Sequence, residues 1–346
     1  MVMRSRRWPE MVIAGAAVVL LLGCGSGRPI TLEVRTDLPE ALRDYVEESF
    51  EAEHLDIDVR FTTGPTEASL AELRDETTGA TAGFDVWWGA DASALQAAGD
   101  DGFLLPYRPG WLDEPALVEP DADAAWHPWL VTPYVIAFSR EHLELSRAPT
   151  DWNDLRHFRW AEDIEVLDPT RSESGAWFML SMLQQRAAEG DLDAGFDWLG
   201  DLDGQVEAYA ASSTDAIRGL AAGMSRLAIV TRADAEAARA DDAPWLYYRM
   251  AESGTPIFTR GIAVVRGTDA VEAAEAFVEH VGTLEVRTAA KLETRWQPAF
   301  GEIDQARVPT DFELGQSWRP FDLAVDAIEG ERTDWLDRWE REVRVR

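Results

Sequence analysis

Strand and helix patterns alternate along the first third of the chain. The segment "ITLEVRT" (residues 30–36) alternates apolar and polar side chains as a strand does, and a segment with helical spacing follows it, with Asp37 as its predicted N-cap. A second strand, "IDVRFTT", and a buried strand, "FDVWWG", each lead into another helical segment. This β-α-β-α-β-α order within about 70 residues predicts a doubly wound α/β lobe with a parallel sheet.

The middle of the chain repeats the same alternation. Strand patterns occur at "YVIAFS", "IEVLD" and "RLAIVT", and helical patterns follow the last two, the first of them running from Gly175 to Ala188. A helix-rich tail extends from Asp269 to Arg346. A chain of 346 residues exceeds what one hydrophobic core usually serves, so two α/β lobes are predicted.

The first 26 residues have the pattern of a targeting segment. Three arginines precede an apolar run of 13 residues (residues 11–23), which is shorter than the roughly 20 residues of a membrane span. The run ends in "LLGC", which resembles a bacterial lipobox, and the resemblance implies that Cys24 becomes the palmitate-bearing lipid anchor. The alternative is a signal peptide with an incidental cysteine. Cys24 is the only cysteine of the chain, which excludes a disulfide.

The charge of the chain excludes two classes of partner. The formal net charge is −32, and removal of residues 1–23 takes away a net +2, which leaves −34. Lys291 is the only lysine, and the other basic residues are arginines. Such a surface repels nucleic acid and anionic lipid headgroups, so neither is an expected partner. The acidic clusters are interpreted as solvated helix faces and caps.

Five segments together resemble the solute-binding proteins of ABC importers, in the branch of ferric-iron, phosphonate and sugar-phosphate receptors. They occur in the order of that family and cover most of residues 30–285. The resemblance implies two doubly wound α/β lobes joined by hinge strands, with the ligand in the cleft between them, as in type II periplasmic binding proteins. The segments are "FDVWWGADASALQAAGDDGFLLPY", "VTPYVIAFSREHL" with "APTDWNDL", "LDPTRSESGAWFML", "AYAASSTDAIRGLAAGMSRLAIV" and "RGIAVVRGTDAVEAAEAFVEHV".

The resemblance also implies a division of the chain. The signal peptide takes residues 1–23 and a tether takes residues 24–29. The first lobe takes residues 30–132 together with residues 256–346, and the second lobe takes residues 133–255. The chain is expected to cross between lobes near Thr132-Pro133 and to return near Thr255-Pro256, and the C-terminal helices are expected to rejoin the first lobe.

Ligands of doubly wound sheets bind beyond the carboxyl ends of the strands, where helix N-termini present free N–H groups and favour anions. Four strand-to-helix turns carry small polar residues suited to this, and Arg232 and Arg260 are candidate cations. The competing interpretation is that Ser172 or Ser174 only caps a helix and that Gly175 only permits close packing. The predicted ligand-binding residues of the turns are Thr36, Asp37, Gly89, Ala90, Asp91, Ser172, Ser174, Gly175, Ser212, Ser213 and Thr214.

Ferric iron is the less favoured ligand. Ferric receptors of this family place adjacent tyrosines after the strand that here reads "RLAIV", and this chain has Thr231, Arg232 and Ala233 there. The only adjacent tyrosines, Tyr247 and Tyr248, lie in a later strand that sends them to opposite faces. A small polar or anionic solute, such as a phosphonate or phosphate ester, is therefore predicted, with no metal and no cofactor.

The sequence lacks the motifs of the common enzyme classes. The five histidines have no metal-ligand spacing, and no Gly-x-Ser-x-Gly elbow, P-loop or dinucleotide fingerprint occurs. The resemblance to solute-binding proteins instead implies a non-enzymatic, monomeric, extracytoplasmic lipoprotein that closes on a solute and delivers it to the permease and ATPase of an ABC importer. A ferric receptor, a sensing receptor without transport and a secreted enzyme on the same fold remain as alternatives.

Overall fold

The structure, a computed structural model, describes residues 29–75, 83–118, 125–189, 191–309, 314 and 316–344. The predicted signal peptide, Cys24 and all but the last residue of the tether lie outside these ranges. Within them, no helix is both long and apolar enough to cross a membrane.

The strands form a sheet in two halves, in the order β2-β1-β3-β10-β5-β8-β6-β7, with β4, β9 and β11 paired off this path. In one half β1 pairs in parallel with β2 and β3, and in the other β6 pairs in parallel with β7 and β8. The strands are β1 (Ile30–Thr36), β2 (Ile57–Thr63), β3 (Val86–Asp91), β4 (Leu104–Leu105), β5 (His127–Ser139), β6 (Ile164–Leu167), β7 (Val206–Ala210), β8 (Leu227–Thr231), β9 (Leu246–Arg249), β10 (Ile257–Val265) and β11 (Gln297–Pro298).

The strand β5 belongs to both halves of the sheet. Its first part pairs with β10, ending with Pro133 opposite Ile257, and its second part pairs with β8 from Tyr134 onward. All 13 residues of β5 are buried, which fits its continuous apolar sequence. The largest cluster of buried side chains likewise extends from β1 through β5 to β6, so the two halves share one apolar core.

Helices cover the faces of the sheet, as the alternating pattern predicts. Helices α8 and α9 pack against α1, while α10 lies against both α3 and α4 and so contacts the two halves. The helices are α1 (Glu40–Glu53), α2 (Thr66–Arg74), α3 (Ala92–Asp100), α4 (Glu173–Glu189), α5 (Leu192–Asp203), α6 (Ser213–Ala222), α7 (Arg232–Asp241), α8 (Val271–Val281), α9 (Leu284–Thr294) and α10 (Val325–Glu342).

The predicted α/β alternation is confirmed, and one predicted cap is wrong. Helix α1 begins at Glu40, with Pro39 at the N-cap position and no side-chain cap. Pro39 has an extended backbone with a ψ of 143°, so the helix starts after it and Asp37, two positions further upstream, lies too far away to cap. The carboxylate of Asp37 accepts hydrogen bonds from Arg260 instead.

Candidate functional site

Arg260 on β10 lies at the centre of the candidate site. Its two terminal nitrogens donate to the two carboxylate oxygens of Asp37, both at 3.1 Å, and its Nε lies 3.4 Å from Oδ1 of Asp91. The guanidinium carbon is 5.1 Å from the ring centroid of Trp296. Burial lowers the pKa of Arg260, but the negative charges of Asp91, Asp37 and Asp234 together raise it above its usual range. Arg260 is thus already paired with carboxylates.

Asp91, the last residue of β3, carries a poorly compensated negative charge. The residue is 7% exposed, and its Oδ1 accepts no hydrogen bond. Burial raises the pKa of Asp91 from 3.8 to about 7, and the charges of Glu173, Asp37 and Glu67 raise it further against the opposing attraction of Arg260. The carboxylate at this turn therefore lies in an acidic environment.

The start of α4 contains both a helix cap and a contact with the first half of the fold. Oγ of Ser172 accepts a hydrogen bond from the N–H of Gly175 at 3.2 Å. Glu173 accepts a hydrogen bond from Oγ of Ser93 on α3 at 2.5 Å and pairs with Arg332 of α10. Ser174 is held by the hydroxyl of Tyr134, which donates to its carbonyl oxygen at 2.6 Å. The residues around Glu173 therefore join three separate segments.

Gly175 has a packing role, which is one of the two interpretations that its sequence context allows. A Cβ atom at this position would stand 2.8 Å from the carbonyl oxygen of Leu167, closer than real Cβ contacts come. The absence of a side chain lets α4 begin directly against the end of β6. The capping and packing functions of Ser172 and Gly175 are therefore present in the structure.

The first turns of α6 and α7 each contain an aspartate whose carboxylate bonds to the capping residue of the same helix. Ser212 caps α6 and bonds reciprocally with Asp215, and Thr231 caps α7 in the same way with Asp234. Oδ2 of Asp234 also accepts a hydrogen bond from Oγ of Ser213 at 2.6 Å. With Glu173 in the first turn of α4, all three helix starts thus hold an acidic residue where the helix dipole favours negative charge.

The remaining predicted residues have local structural contacts. Oγ1 of Thr36 accepts a hydrogen bond from the N–H of Leu38, which shapes the turn after β1. Gly89 has a positive φ of 81° and packs against Leu38, so only glycine fits this turn. Ala90 is buried, and Thr214 is exposed.

Arg232 belongs to a different cluster from Arg260. It is buried, its guanidinium lies 3.3 Å from the side-chain oxygen of Gln297 and 6.0 Å from the ring of Trp318, and burial lowers its pKa. Lys291 donates to the same oxygen of Gln297 at 3.0 Å. Arg232 thus shares its oxygen partner with Lys291, whereas the partners of Arg260 are Asp37 and Asp91.

An acidic cavity of 670 Å³ lies beside the first half of the fold, and among the described residues Glu173 is the lining residue from the second half. Side chains of α2, α3 and α10 line it together with Asp91 and the start of α4. Sequence reasoning missed most of these residues because acidic residues on helices were interpreted as solvated. The lining consists of Thr66, Glu67, Leu70, Ala71, Arg74, Asp75, Asp91, Ser93, Ala94, Ala97, Glu173, Glu329, Arg332 and Thr333.

A second cavity of 490 Å³ lies on the other face of β10, beside Thr259 and Ile257, with largely apolar walls that include Trp126 and Trp177. The described residues contain no group of three His, Cys, Asp or Glu side chains arranged to hold a metal ion. Burial holds the pKa of Tyr134 well above its usual range, which disfavours a phenolate ligand at this position.

Comparisons with known proteins agree with this architecture. A family model described as bacterial extracellular solute-binding protein matches residues 30–291 of the chain. The chain is also 26% identical over 276 residues to the probable ABC transporter periplasmic-binding protein y4fP of Sinorhizobium fredii, a match that covers 75% of this chain and 73% of the relative.

Solved structures share the fold at low sequence identity. The Trichodesmium protein IdiA (FutA), in complex with iron and citrate, has a TM-score of 0.76 at 17% identity, covering 90% of this chain and 98% of that one. The Campylobacter jejuni ferric binding protein gives 0.76 at 18%, covering 90% and 98%. Actinobacillus pleuropneumoniae AfuA, with fructose-6-phosphate bound, gives 0.70 at 18%, covering 92% and 99%. The fold is that of type II periplasmic binding proteins, as the sequence predicts.

Proposed function

The chain belongs to the bacterial extracellular solute-binding proteins, and we propose that it captures a small polar solute between two lobes and delivers it to the permease of an ABC importer. The named relative from Sinorhizobium fredii supports the link to ABC transport. The lobes of this proposal are residues 30–132 with 256–346 and residues 133–255. The protein acts as a monomeric receptor and catalyses no reaction.

One observation carries the proposal: polar side chains from both lobes meet beside the acidic cavity. Ser93 in the first lobe donates to Glu173 in the second, next to the buried Asp91. A solute in this cavity touches both lobes at once, so its binding energy favours the closed arrangement over any open one. Closure of lobes around a ligand is a common conformational change in binding proteins.

The hinge in this proposal lies where β5 and the segment before β10 pass between the lobes. Pro133 and Pro256 both lie at this crossing and cannot donate a backbone hydrogen bond. The crossing is held by the N–H of Tyr134, which donates to the carbonyl of Pro256 at 3.2 Å, and by the hydroxyl of Thr255, which donates to the carbonyl of Tyr134 at 2.8 Å. The segment that precedes α10 also contacts this crossing, because the N–H of Thr255 donates to the carbonyl of Arg319 and the N–H of Phe321 donates to the carbonyl of Thr255, both at 2.9 Å.

The sequence predicts a small polar or anionic solute with Arg232 and Arg260 as candidate cations, and the geometry gives the anionic part of that prediction little support. Arg260 is paired with Asp37 and Asp91, and Arg232 lies in another cluster. The starts of α4, α6 and α7 already carry carboxylates. The proposal therefore keeps a polar solute and does not require an anion.

The location in this proposal is outside the cytoplasm, in agreement with the family. Cys24 carries the lipid anchor that holds the receptor at the bacterial membrane, near its permease. The short segment from residue 25 to residue 29 is the tether. Palmitate labelling of the wild-type protein and of a Cys24→Ala variant tests the anchor, because only the wild type should incorporate the label.

Lobe closure is tested by spin labels on the two lobes. Leu55 and Phe158 are 88% and 79% exposed, so cysteines can replace them without loss of core packing, in a chain whose Cys24 is replaced by serine. Pulsed electron paramagnetic resonance should show a shorter and narrower distance distribution when a solute binds. A bound solute that leaves the distribution unchanged contradicts closure.

Transport is tested in cells that lack this protein. Loss of uptake of the bound solute, restored by the wild-type gene, is the expected result. Normal uptake together with loss of a transcriptional response to the solute supports the sensing receptor instead.

A further inference from the structure

We propose that the solute is an organic cation, whose amine, guanidinium or quaternary ammonium group is held by the carboxylates of the acidic cavity. This inference rests on the proposed solute-binding function and assigns a ligand class to that site. It differs from the anionic solute that the sequence predicts.

The charge balance of the cavity favours a cation. Five carboxylates and two guanidinium groups line it, a formal excess of three negative charges. One of the arginines, Arg74, pairs at 2.7 Å with Asp101 outside the lining, and the other, Arg332, is shared between Glu173 and Glu329. Arg74 and Arg332 are therefore engaged with carboxylates, and the nearest cation to Asp91 is Arg260, outside the lining. The lining carboxylates are Glu67, Asp75, Asp91, Glu173 and Glu329.

Two buried oxygen atoms at the cavity accept no hydrogen bond from any residue that the structure describes. They are Oδ1 of Asp91, in a residue that is 7% exposed, and Oε1 of Glu329. The nearest cation to the first is Nε of Arg260 at 3.4 Å, beyond ordinary hydrogen-bond length. Buried polar atoms in proteins nearly always have partners, and those without one are costly. A ligand that donates N–H groups supplies the hydrogen bond that both atoms lack.

Repulsion among the carboxylates points to the same ligand class. After burial itself, the charges of Glu173, Asp37 and Glu67 oppose ionisation of Asp91, and Arg260 offsets them only in part. A cation in the cavity reduces this repulsion, whereas an anion increases it. The charges at the cavity therefore favour cationic over anionic solutes, whatever the shape of the solute.

The size and walls of the cavity favour an organic cation over a metal ion. A volume of 670 Å³ lies within the range of pockets for small organic molecules. The aliphatic side chains of Leu70, Ala71, Ala94 and Ala97 line part of it and offer contact surface to methylene or methyl groups. The described residues do not cluster as ligands for a metal.

The test uses pairs of probes that differ in charge. Choline is compared with its neutral isostere 3,3-dimethyl-1-butanol, and putrescine with 1,4-butanediol; agmatine supplies the guanidinium group. Glucose 6-phosphate, methylphosphonate and ferric citrate represent the other classes. Thermal shift identifies binders, and isothermal titration calorimetry measures their affinity. At least one cation should bind, and its neutral partner should bind at least about tenfold more weakly, the loss of one charge-assisted contact.

Variants locate the site. Asp91→Asn and Glu329→Gln should each weaken the cation at least about tenfold, while Asp197→Asn, an exposed carboxylate of α5, should leave affinity unchanged. Binding of a phosphate ester, a phosphonate or ferric citrate in place of any cation overturns the cation class and leaves the receptor function intact. A cation that binds all four proteins equally also overturns the assignment, because its site is then elsewhere. If no cation binds, the inference is wrong, whereas failure of lobe closure or uptake refutes the proposed function separately.

Discussion

Asp91→Asn should stabilise the ligand-free protein at neutral and alkaline pH. Burial first, and then neighbouring carboxylates, raise the pKa of Asp91 from 3.8 to about 7 despite the attraction of Arg260. The folded state thus binds this proton more tightly than the unfolded state does. The stability that the protonated carboxyl contributes is complete below about pH 3.8, declines as the pH rises, and is lost once the pH passes about 7.

The magnitude follows from the same pKa values. At about 1.36 kcal/mol for each tenfold change in proton affinity, ionisation of Asp91 costs the folded state up to about 4 kcal/mol above pH 7. Asparagine has nearly the same shape and no charge, so the variant avoids this cost. Its advantage over the wild type should grow by about 2 kcal/mol between about pH 5.5 and about pH 8.

Urea unfolding followed by tryptophan fluorescence measures this difference. The midpoints and slopes of both proteins at the two pH values give the free energies of unfolding. Asp197→Asn, which removes a charge from the exposed face of α5, should differ from the wild type by less than about 0.5 kcal/mol at both. If the stability advantage of Asp91→Asn does not change with pH, the advantage does not come from the proton of Asp91 and the prediction is wrong. A less stable variant at about pH 8 would show that the pairing with Arg260 outweighs burial and repulsion.

Three further results are expected. Gly175→Ala should lower the free energy of unfolding in urea by about 1–3 kcal/mol, because its Cβ would meet the carbonyl oxygen of Leu167 at 2.8 Å. The control Gly200→Ala, which has open space around it in α5, should raise that free energy by about 0.5–1 kcal/mol. Equal effects of the two substitutions would contradict the packing role of Gly175. Tyr134→Phe should lower the melting temperature through loss of about 1 kcal/mol, as the carbonyl it bonds at the start of α4 loses its donor; an unchanged value contradicts this. Calorimetry should show that the affinity for an organic cation rises about tenfold per pH unit up to about pH 7 and then levels, because the cation binds the ionised carboxylate of Asp91. An affinity that does not change with pH would contradict a role of Asp91 in binding.

The sequence predicts the fold well because its signals are local. Alternation in "ITLEVRT" and the apolar run of β5 specify strands wherever the rest of the chain packs. The turns at the carboxyl ends of β1, β3 and β6 follow from the alternation alone, since parallel strands end at one edge. The resemblance to solute-binding proteins then fixes how these pieces combine.

The chemistry of the site depends on pairings between distant residues, which local signals do not contain. Arg260 donates to Asp37, which lies 223 positions away in the sequence. This pairing offsets the positive charge of Arg260, which the sequence offers as a candidate cation for the ligand. Glu173 is an ordinary residue for the first turn of a helix, so its contact with Ser93 has no signal in "TRSESG".

Strand β5 limits how the molecule can be divided into working fragments. Each half of the sheet takes a different stretch of the same 13 residues as a hydrogen-bonded neighbour, and the apolar core continues through it. Either lobe expressed alone would lose a strand partner or expose a buried edge, which is a template for aggregation. The two halves therefore form one cooperative folding unit, and engineering that exchanges one half between relatives has to keep β5 matched to both.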